Sequence, residues 1–577
     1  MGVAQRTADF SQLVGSIVDA YDRMETDTRT YLLAVLLPAI LLFVGSVVVA
    51  VVWQVLFLVR LLLPVLGLVF VGAAVAYPKL LIDRRRIEME NRFHLMVTHM
   101  TVLSTTNIDR MQVFRKLGNE EEYGELAVEI RRIVELVDTW NQSLDDACRR
   151  RAKQVPSDSL SDLFDRLAYT LGAGQELDNF LVEEQDVMIE DYSTIYEQSL
   201  ENLDVMKDLY LSMILSMTFA LVFAVVLPIL TGTNPTWTVA AVISMFVFVQ
   251  VGFFLVIRAV VPHDPVWFIE EGFRSRTNKM LLGSTVAGVA LMAVILLAMV
   301  ASSFGVVPFT VLVPLGSIPV QLYPAIPTAP LLLPAIVFRR EEQAIVERDD
   351  EFPAFIRALG ASESAKQSTT SEVLTTLRKK DFGVLTGAID DLYRRLNMRV
   401  NTEKAWRYFA GDTSSYLIQK FSEMYLIGRE MGGDPKELGE LISENMNQIN
   451  QLREQRRQVT VTLVGLLYGI TAAASFAFFT GLEIAIIMAG FNLDVAAPGG
   501  MDFGKLLHTG SYNVPLLRYL LLIVILFNAV MSSLALRTSD GGHLGNSYLH
   551  FVLLTWVGSA TAYATQKLIS ALLEVDV

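Results

Sequence analysis

Nine stretches of this chain are apolar for long enough to cross a bilayer, and they constrain the fold more than any other feature. A spanning helix needs roughly 20 mostly apolar residues, because hydrocarbon offers no partner for a backbone N–H or C=O. The runs are about 31–51, 61–82, 209–230, 238–257, 280–301, 314–338, 459–483, 514–536 and 548–572. The chain is 52% hydrophobic and only 19% charged, which excludes a wholly soluble enzyme and any disordered or fibrous class. The single cysteine, Cys148, excludes an internal disulfide. The expected fold class is an all-α polytopic membrane protein with about nine transmembrane helices. The sixth run carries Pro314, Pro319, Pro324, Pro327, Pro330 and Pro334, so it is read as a kinked helix or a partly re-entrant hairpin. Residues 1–30 hold Asp9, Asp19, Asp22, Glu25 and Asp27 and no basic stretch before an apolar one, so no cleavable signal peptide is expected.

Arginine sets the orientation. Arg84-Arg85-Arg86 follow the second run, Arg258 ends the fourth, and Arg274, Arg276 and Lys279 precede the fifth. Arg339-Arg340 follow the sixth, Arg453, Arg456 and Arg457 precede the seventh, and Arg537 ends the eighth. One topology places all of them on the cytoplasmic side, with the N-terminus inside and the tail Glu574–Val577 outside. The longest external connection is then the glycine-rich stretch Asn492–Asn513.

Two long polar segments interrupt the spans, and the chain divides accordingly. A cytoplasmic N-terminal segment (1–30) and a membrane hairpin (31–82) precede a helical block (83–208), a second hairpin (209–258) and a connector (259–279). A membrane pair (280–338), a second helical block (339–458) and three membrane helices (459–577) complete it. Both blocks carry apolar residues at helical spacing. Phe93, Met96, Val97, Met100 and Leu103 form one such stripe, and Leu126, Ile130, Ile133, Val134 and Val137 another. In the second block Leu385, Ile389, Leu392 and Leu396, then Leu438, Leu441, Ile442, Met446 and Ile449, repeat the pattern. One stripe per helix needs partner stripes, so each block is expected to be a small bundle.

The blocks resemble one another in order and spacing. Each opens on an aromatic-led helix, at Phe93 or Phe352, and passes a polar turn, Ser104–Asn107 or Lys366–Thr370. Thr369 and Glu372 are spaced as a capping box. A late helix holds Phe164 or Phe421, and glycines then mark a structural turn, Gly172/Gly174 or Gly432/Gly433. A long polar helix feeds the next span. One unit is used twice.

These residues carry a family resemblance. A helical cytoplasmic domain followed by a membrane hairpin, used twice, resembles the F-domain platform proteins of type II secretion and type IV pilus machines. The stretch Glu122-Tyr-Gly-Glu125 with Glu129 and Ile133, and Pro156-Ser157 with Leu160, Leu163 and Phe164, is similar to the archaellum (archaeal flagellum) branch. So are Gly411-Asp-Thr-Ser-Ser415 with Phe421, Gly432-Gly-Asp-Pro435 with Glu440, and the helix of Leu452, Arg453 and Arg456. The glycine that such proteins often carry at the first inter-helix turn is replaced here by polar residues. The resemblance implies a non-enzymatic platform in the cytoplasmic membrane, with no cofactor. It implies a hexameric secretion ATPase docked below, archaellin or pilin-like filament subunits handled in the bilayer, and a homodimer. Platforms of adhesion pili or type II secretion-like systems are neighbouring readings, and a secondary transporter is a distant one.

The remaining chemistry fits a transmitter. No G-x-x-x-x-G-K-[ST] occurs, so no P-loop is expected. Met431-Gly-Gly-Asp434 falls short of the Gly-x-Gly-Asp of a membrane peptidase and reads as a turn. His94 and His99 are five apart and read as ordinary polar positions, not a metal site. Glu483, Arg60 and Lys79 fall near membrane interfaces, where a charge can snorkel, rather than at the mid-membrane depth a transporter uses. Glu120-Glu-Glu122 reads as a solvated face or a helix start. Arg84, Arg85, Arg86, Arg339, Arg340, Arg453, Arg456 and Arg457 anchor the chain to anionic membrane lipids, dock an acidic partner, or both. The segment Val261–Lys279, with Trp267, Phe268 and Phe273, is expected as an interfacial helix. A net charge of −14 argues against nucleic acid, and with lysine supplying only about 13 of the 47 basic residues it suits either a halophile's cytosol or an ordinary acidic protein.

Overall fold

A computed structural model describes residues 31, 35–52, 57–106, 108–262, 264–269, 276–303, 318–490 and 513–573. The N-terminal segment, the turn at Trp53, Asn107, Phe273, Arg274, Pro314, the external loop 492–512, the tail and the side chains of Arg60 and Arg84 lie outside that description. The described residues are helical, with no strand beyond one isolated bridge between Trp267 and Ser415. Six of the helices are long and apolar enough to cross a membrane.

Helices α1 (Leu37–Val52) and α2 (Phe57–Ser104) open the chain, and α3 (Arg110–Asn119), α4 (Glu125–Asp138), α5 (Leu144–Ala152) and α6 (Asp158–Gly172) follow. Then come α7 (Leu177–Thr231), α8 (Pro235–Val260), α9 (Arg276–Ser303) and α10 (Leu332–Lys366). The second polar segment continues with α11 (Thr370–Leu377), α12 (Thr386–Asn397), α13 (Thr402–Thr413) and α14 (Tyr416–Glu430). Helices α15 (Pro435–Gly490), α16 (Val514–Asp540) and α17 (Ser547–Leu573) end the order. The contacts divide into two compact units, one of residues 1–192 with 430–433 and one of 193–429 with 434–577.

The long helices do not stop where the polarity changes. Helix α15 has 56 residues, roughly 84 Å at 1.5 Å per residue, against a hydrocarbon thickness of about 30 Å. More than half of it therefore extends beyond any bilayer its apolar half crosses. Helices α2, α7 and α10 cross the same sequence boundaries unbroken. The proline-rich sixth run is broken, as its composition requires. Turns at Val320–Leu322 and Ala329–Leu331 flank a short helix at Ala325–Thr328 before α10 begins. Helix α9 closes on this region through Gly288, where a Cβ would lie 2.8 Å from the Pro334 ring.

In the first unit the stripes Phe93–Leu103 and Leu126–Ile133 are buried, and so is Phe164. His94 and His99 are buried too, so they are core residues rather than ordinary polar positions. His99 Nδ1 meets the Tyr123 hydroxyl at 2.9 Å, and the His94 ring stacks on Tyr192 at 3.9 Å. Cys148 is buried, which pushes its thiol up and away from reactivity. In the second unit Phe352, Phe355 and Phe409 form the heart of the α10–α14 packing, with centroids 6.0–6.4 Å apart, and Phe421 is fully buried. Leu221, Phe246, Phe479 and Leu521 build the apolar core of α7, α8, α15 and α16.

Two local expectations need correction. Thr369 is the N-cap of α11, but its hydroxyl makes no cap bond, so the Thr369–Glu372 box does not close. Its carbonyl accepts from Glu372 N and Val373 N instead. In the expected interfacial helix Val261–Lys279, residues 261–262 and 264–269 are not helical, while 276–279 belong to α9 and 270–275 lie outside the described residues. Pro262 and Pro265 explain this, because each lacks an N–H and disfavours helix in the residue before it.

At the first inter-helix turn of the second segment Gln367 stands at φ +50° and ψ +37°. A side chain in this left-handed conformation costs about 1 kcal/mol that glycine avoids. Gln367→Gly is therefore expected to stabilise the chain by about 0.5–1 kcal/mol, read as a higher midpoint of helical unfolding in detergent.

Candidate functional site

The site lies where α10, α15, the extended connector and the α16–α17 turn converge, all in the second unit. Arg453, on α15, is its centre. Its guanidinium donates twice to Asp264 at 2.7 Å and once to Pro265 O at 3.0 Å. It donates again to Asp349 of α10 at 2.9 Å. Asp349 also accepts from the Ser415 hydroxyl, whose oxygen accepts from Ile418 N at 3.1 Å. The connector is fixed from the other side as well, by Phe268 N to Ser414 O at 2.9 Å and Tyr416 N to Val266 O at 3.1 Å. One arginine thus ties together a membrane-rooted helix, the connector, and the Gly411–Ser415 stretch.

Arg456, one turn further along α15, donates to Ser539 O at 2.7 Å and Thr538 O at 3.1 Å. These are free carbonyls at the end of α16, where a cation also suits the helix dipole. The following turn wraps the arginine closely. Gly541 has φ +78°, and a Cβ there would lie 2.8 Å from the guanidinium. Glu342 of α10 receives Trp267 Nε1 at 3.2 Å, His543 N at 3.3 Å and Asn546 Nδ2 at 3.0 Å. Burial pushes Glu342 up to about 7, and Asp540 nearby adds to it. Burial likewise pushes Asp349 up to about 7, although Arg453 draws it down. Both lie beyond the apolar run that ends at Phe338.

These groups surround a cavity of about 590 Å³ lined by Arg339, Glu342, Asp349, Asn450, Arg453 and Arg457 among others. The structure therefore brings together Arg339, Arg453, Arg456 and Arg457, drawn from two separate clusters in the sequence. It gives them different surroundings. Arg453 and Arg456 are turned inward onto partners, while Arg457 and Arg340 are exposed and Arg339 meets Asp540 only at 3.9 Å. Charge reversal at all three arginines of α15 would therefore break the interior before it tested any docking surface.

In the first unit Arg85 pairs with Glu125 at 3.7 Å, and Arg86 with Glu90 at 2.7 Å and Asp158 at 3.0 Å. Glu129, buried to 2% exposure, binds Arg132 at 2.6 Å and Arg151 Nε at 3.0 Å. Gly124 at φ +54° starts that helix. Gly174 (φ +80°) and Gly432 (φ +88°) adopt left-handed turns beside Gly172 and Gly433. Asp434 accepts from Lys436 N at 2.8 Å and caps α15, so Met431–Asp434 is a helix start. No cluster of three metal-ligating side chains occurs among the described residues.

The sequence reading missed Asp264, Glu342, Asp349 and the turn Gly541–Asn546. The turn did carry a signal: three glycines within Gly541–Gly545, on the same side of the topology as the arginines.

The family described as type II secretion system (T2SS), protein F matches residues 96–226. Flagella accessory protein J of Methanocaldococcus jannaschii is 33% identical over 574 residues, covering 97% of this chain and 99% of the relative. The chain belongs to the Flagella accessory protein J family. Flagella accessory protein J of Methanococcus voltae is 32% identical, covering 97% of this chain and 100% of its own. An uncharacterised protein of Methanocaldococcus jannaschii is 24% identical over 137 residues. No solved structure matches. As a member of this family, the chain is an archaellum assembly platform of the type II secretion F class and a multi-pass membrane protein.

Proposed function

We propose that this platform carries motion from a hexameric secretion ATPase on the cytoplasmic side to archaellin-like subunits leaving the bilayer. The reading has nine spans, two tandem helical domains (83–208 and 339–458) facing the cytoplasm, and two chains acting as a homodimer. The platform does no chemistry of its own. A transmitter needs stiff elements that cross the interface and joints that do not slip. Helix α15 supplies the first, running from its cap at Asp434 into the apolar core. Arg453 supplies the second, and its four hydrogen bonds to Asp264, Pro265 and Asp349 are the observation that carries the reading. The tandem arrangement is supported by the same helix order in each polar segment and by a buried carboxylate paired with arginine in each, Glu129 and Asp349.

Deleting the gene is expected to abolish archaella and swimming while leaving surface attachment intact. A motile deletion strain would reject the proposal. Loss of attachment with swimming retained would assign the platform to an adhesion pilus.

A further inference from the structure

A second, smaller cavity of about 130 Å³ opens beside the first, sharing Arg339, Arg457 and Asp540 with it. Its lining is amphipathic. Arg339, Arg457 and Arg537 line it with Asp540 as the one acid, and Val461, Val464 and Leu536 form an apolar wall. The lining itself holds three guanidinium groups against one carboxylate, while Glu342, Asp350 and Glu454 face Arg339 and Arg457 from the larger cavity. The arginines have donors to spare. Arg537 donates its Nε to Gly542 O at 3.0 Å, Arg339 lies 3.9 Å from Asp540, beyond hydrogen-bond length, and Arg457 is exposed. Thr460, Asn546 and His550 add neutral polar groups.

The position decides the class of ligand. Arg457 immediately precedes the apolar run of α15, and Leu536 ends that of α16. Val461, one turn beyond Arg457 on α15, is 63% exposed. A ligand with an anionic head among the arginines would lay an apolar tail along Val461 and Val464.

We propose that this cavity is a binding site for one anionic phospholipid, its phosphate ester held by Arg457 and Arg339 and its first methylenes lying on Val461 and Val464. The chemistry is phosphate recognition by planar guanidinium groups at a membrane interface, where each basic residue adds about 1 kcal/mol. The bound lipid joins α10, α15 and α16 at the edge of the Arg453 cluster, so lipid composition sets the stiffness of that joint. The inference rests on the membrane placement of α15 proposed above, and not on the filament that the platform builds.

Native mass spectrometry of the full chain in neutral detergent tests it, with phosphatidylglycerol, phosphatidylcholine and inorganic phosphate as probes. One phosphatidylglycerol per chain should be retained, about thirtyfold more tightly than phosphatidylcholine, as two basic contacts predict. Arg457→Gln and Arg339→Gln should each reduce retention severalfold, and Arg457→Lys should lose less. Inorganic phosphate in excess should not displace the lipid. Equal retention of the two lipids, or retention unchanged in both glutamine variants, would overturn the site. Displacement by inorganic phosphate would overturn the lipid as its ligand. Arg457 has no ion pair within hydrogen-bond length among the described residues, so its glutamine variant should fold normally, and Arg339→Gln gives an independent measure. Filament counts in the deletion strain report on the platform reading alone.

Discussion

Arg453→Ala is expected to destabilise the second unit by about 3 kcal/mol or more, because it strips the cation from the buried Asp349 and the half-buried Asp264. Either acid left ionised keeps its desolvation cost and loses this cation, with the Ser415 hydroxyl remaining on Asp349. The loss should depend on pH in a defined direction. Asp349 is already pushed up to about 7 with Arg453 present, and without the cation it moves higher. A carboxyl raised above its unfolded value contributes stability in its protonated form, fully present below pH ~4 and lost as pH rises through the folded value. The variant's deficit should therefore be largest above pH 7 and shrink on acidification towards pH 5. Thermal unfolding of the wild type and variant across that range measures it. A deficit that is flat with pH would show that Asp349 is not the group left uncompensated.

Gly360→Ala is expected to be at least as damaging. Helices α10 and α15 cross where Gly360 faces Pro435 and Gly439. A Cβ on Gly360 would lie 2.1 Å from Pro435 O, and one on Gly439 would lie 2.9 Å from Ile356 O. Both obstacles are backbone, so no rotamer change relieves them, and the helices must separate. The cost sits at or above the roughly 3 kcal/mol upper end for overpacking. It falls on the crossing that sets the angle of α15 where it leaves the second polar segment. Gly387→Ala on α12 is the control, since nothing lies within 4 Å of its added methyl. It should be neutral or stabilising by up to about 1 kcal/mol. Yield of folded protein after detergent extraction and the unfolding midpoint measure the contrast. Equal behaviour of the two variants would contradict the close crossing.

What the sequence made legible follows from which forces are local. The apolar stripes at Phe93–Leu103 and at Leu438–Ile449 are buried largely as their spacing demands, because periodicity on one helix reads out one face. The proline-rich run breaks, since each proline acts on its own turn. The capping box at Thr369 fails in its side-chain half, and only the Thr369 carbonyl meets the first turn. The candidate site was legible only in its arginines. That Arg453 and Arg456 face inward while Arg457 faces out depends on Asp264, Asp349 and the end of α16, which lie 83–189 residues away in the chain. Such long-range pairings have no local signature. Nothing in the pattern of Glu342 or Asp349 distinguishes them from solvated acids of a polar helix until the turn at Gly541–Asn546 folds over Glu342, and Ser415 and Arg453 close on Asp349.

A force transmitter requires the second helical segment and the membrane helices it grows from to move as one body. Spin labels at Met398→Cys and Leu544→Cys, both exposed positions, report on it directly, and the native Cys148 is buried and will not compete. Electron–electron double resonance on the doubly labelled chain, diluted with excess unlabelled chain so that only distances within one chain are read, should give one narrow distribution in lipid nanodiscs, which broadens when Arg453→Ala is added. A broad or two-peaked distribution in the wild-type background would contradict the account.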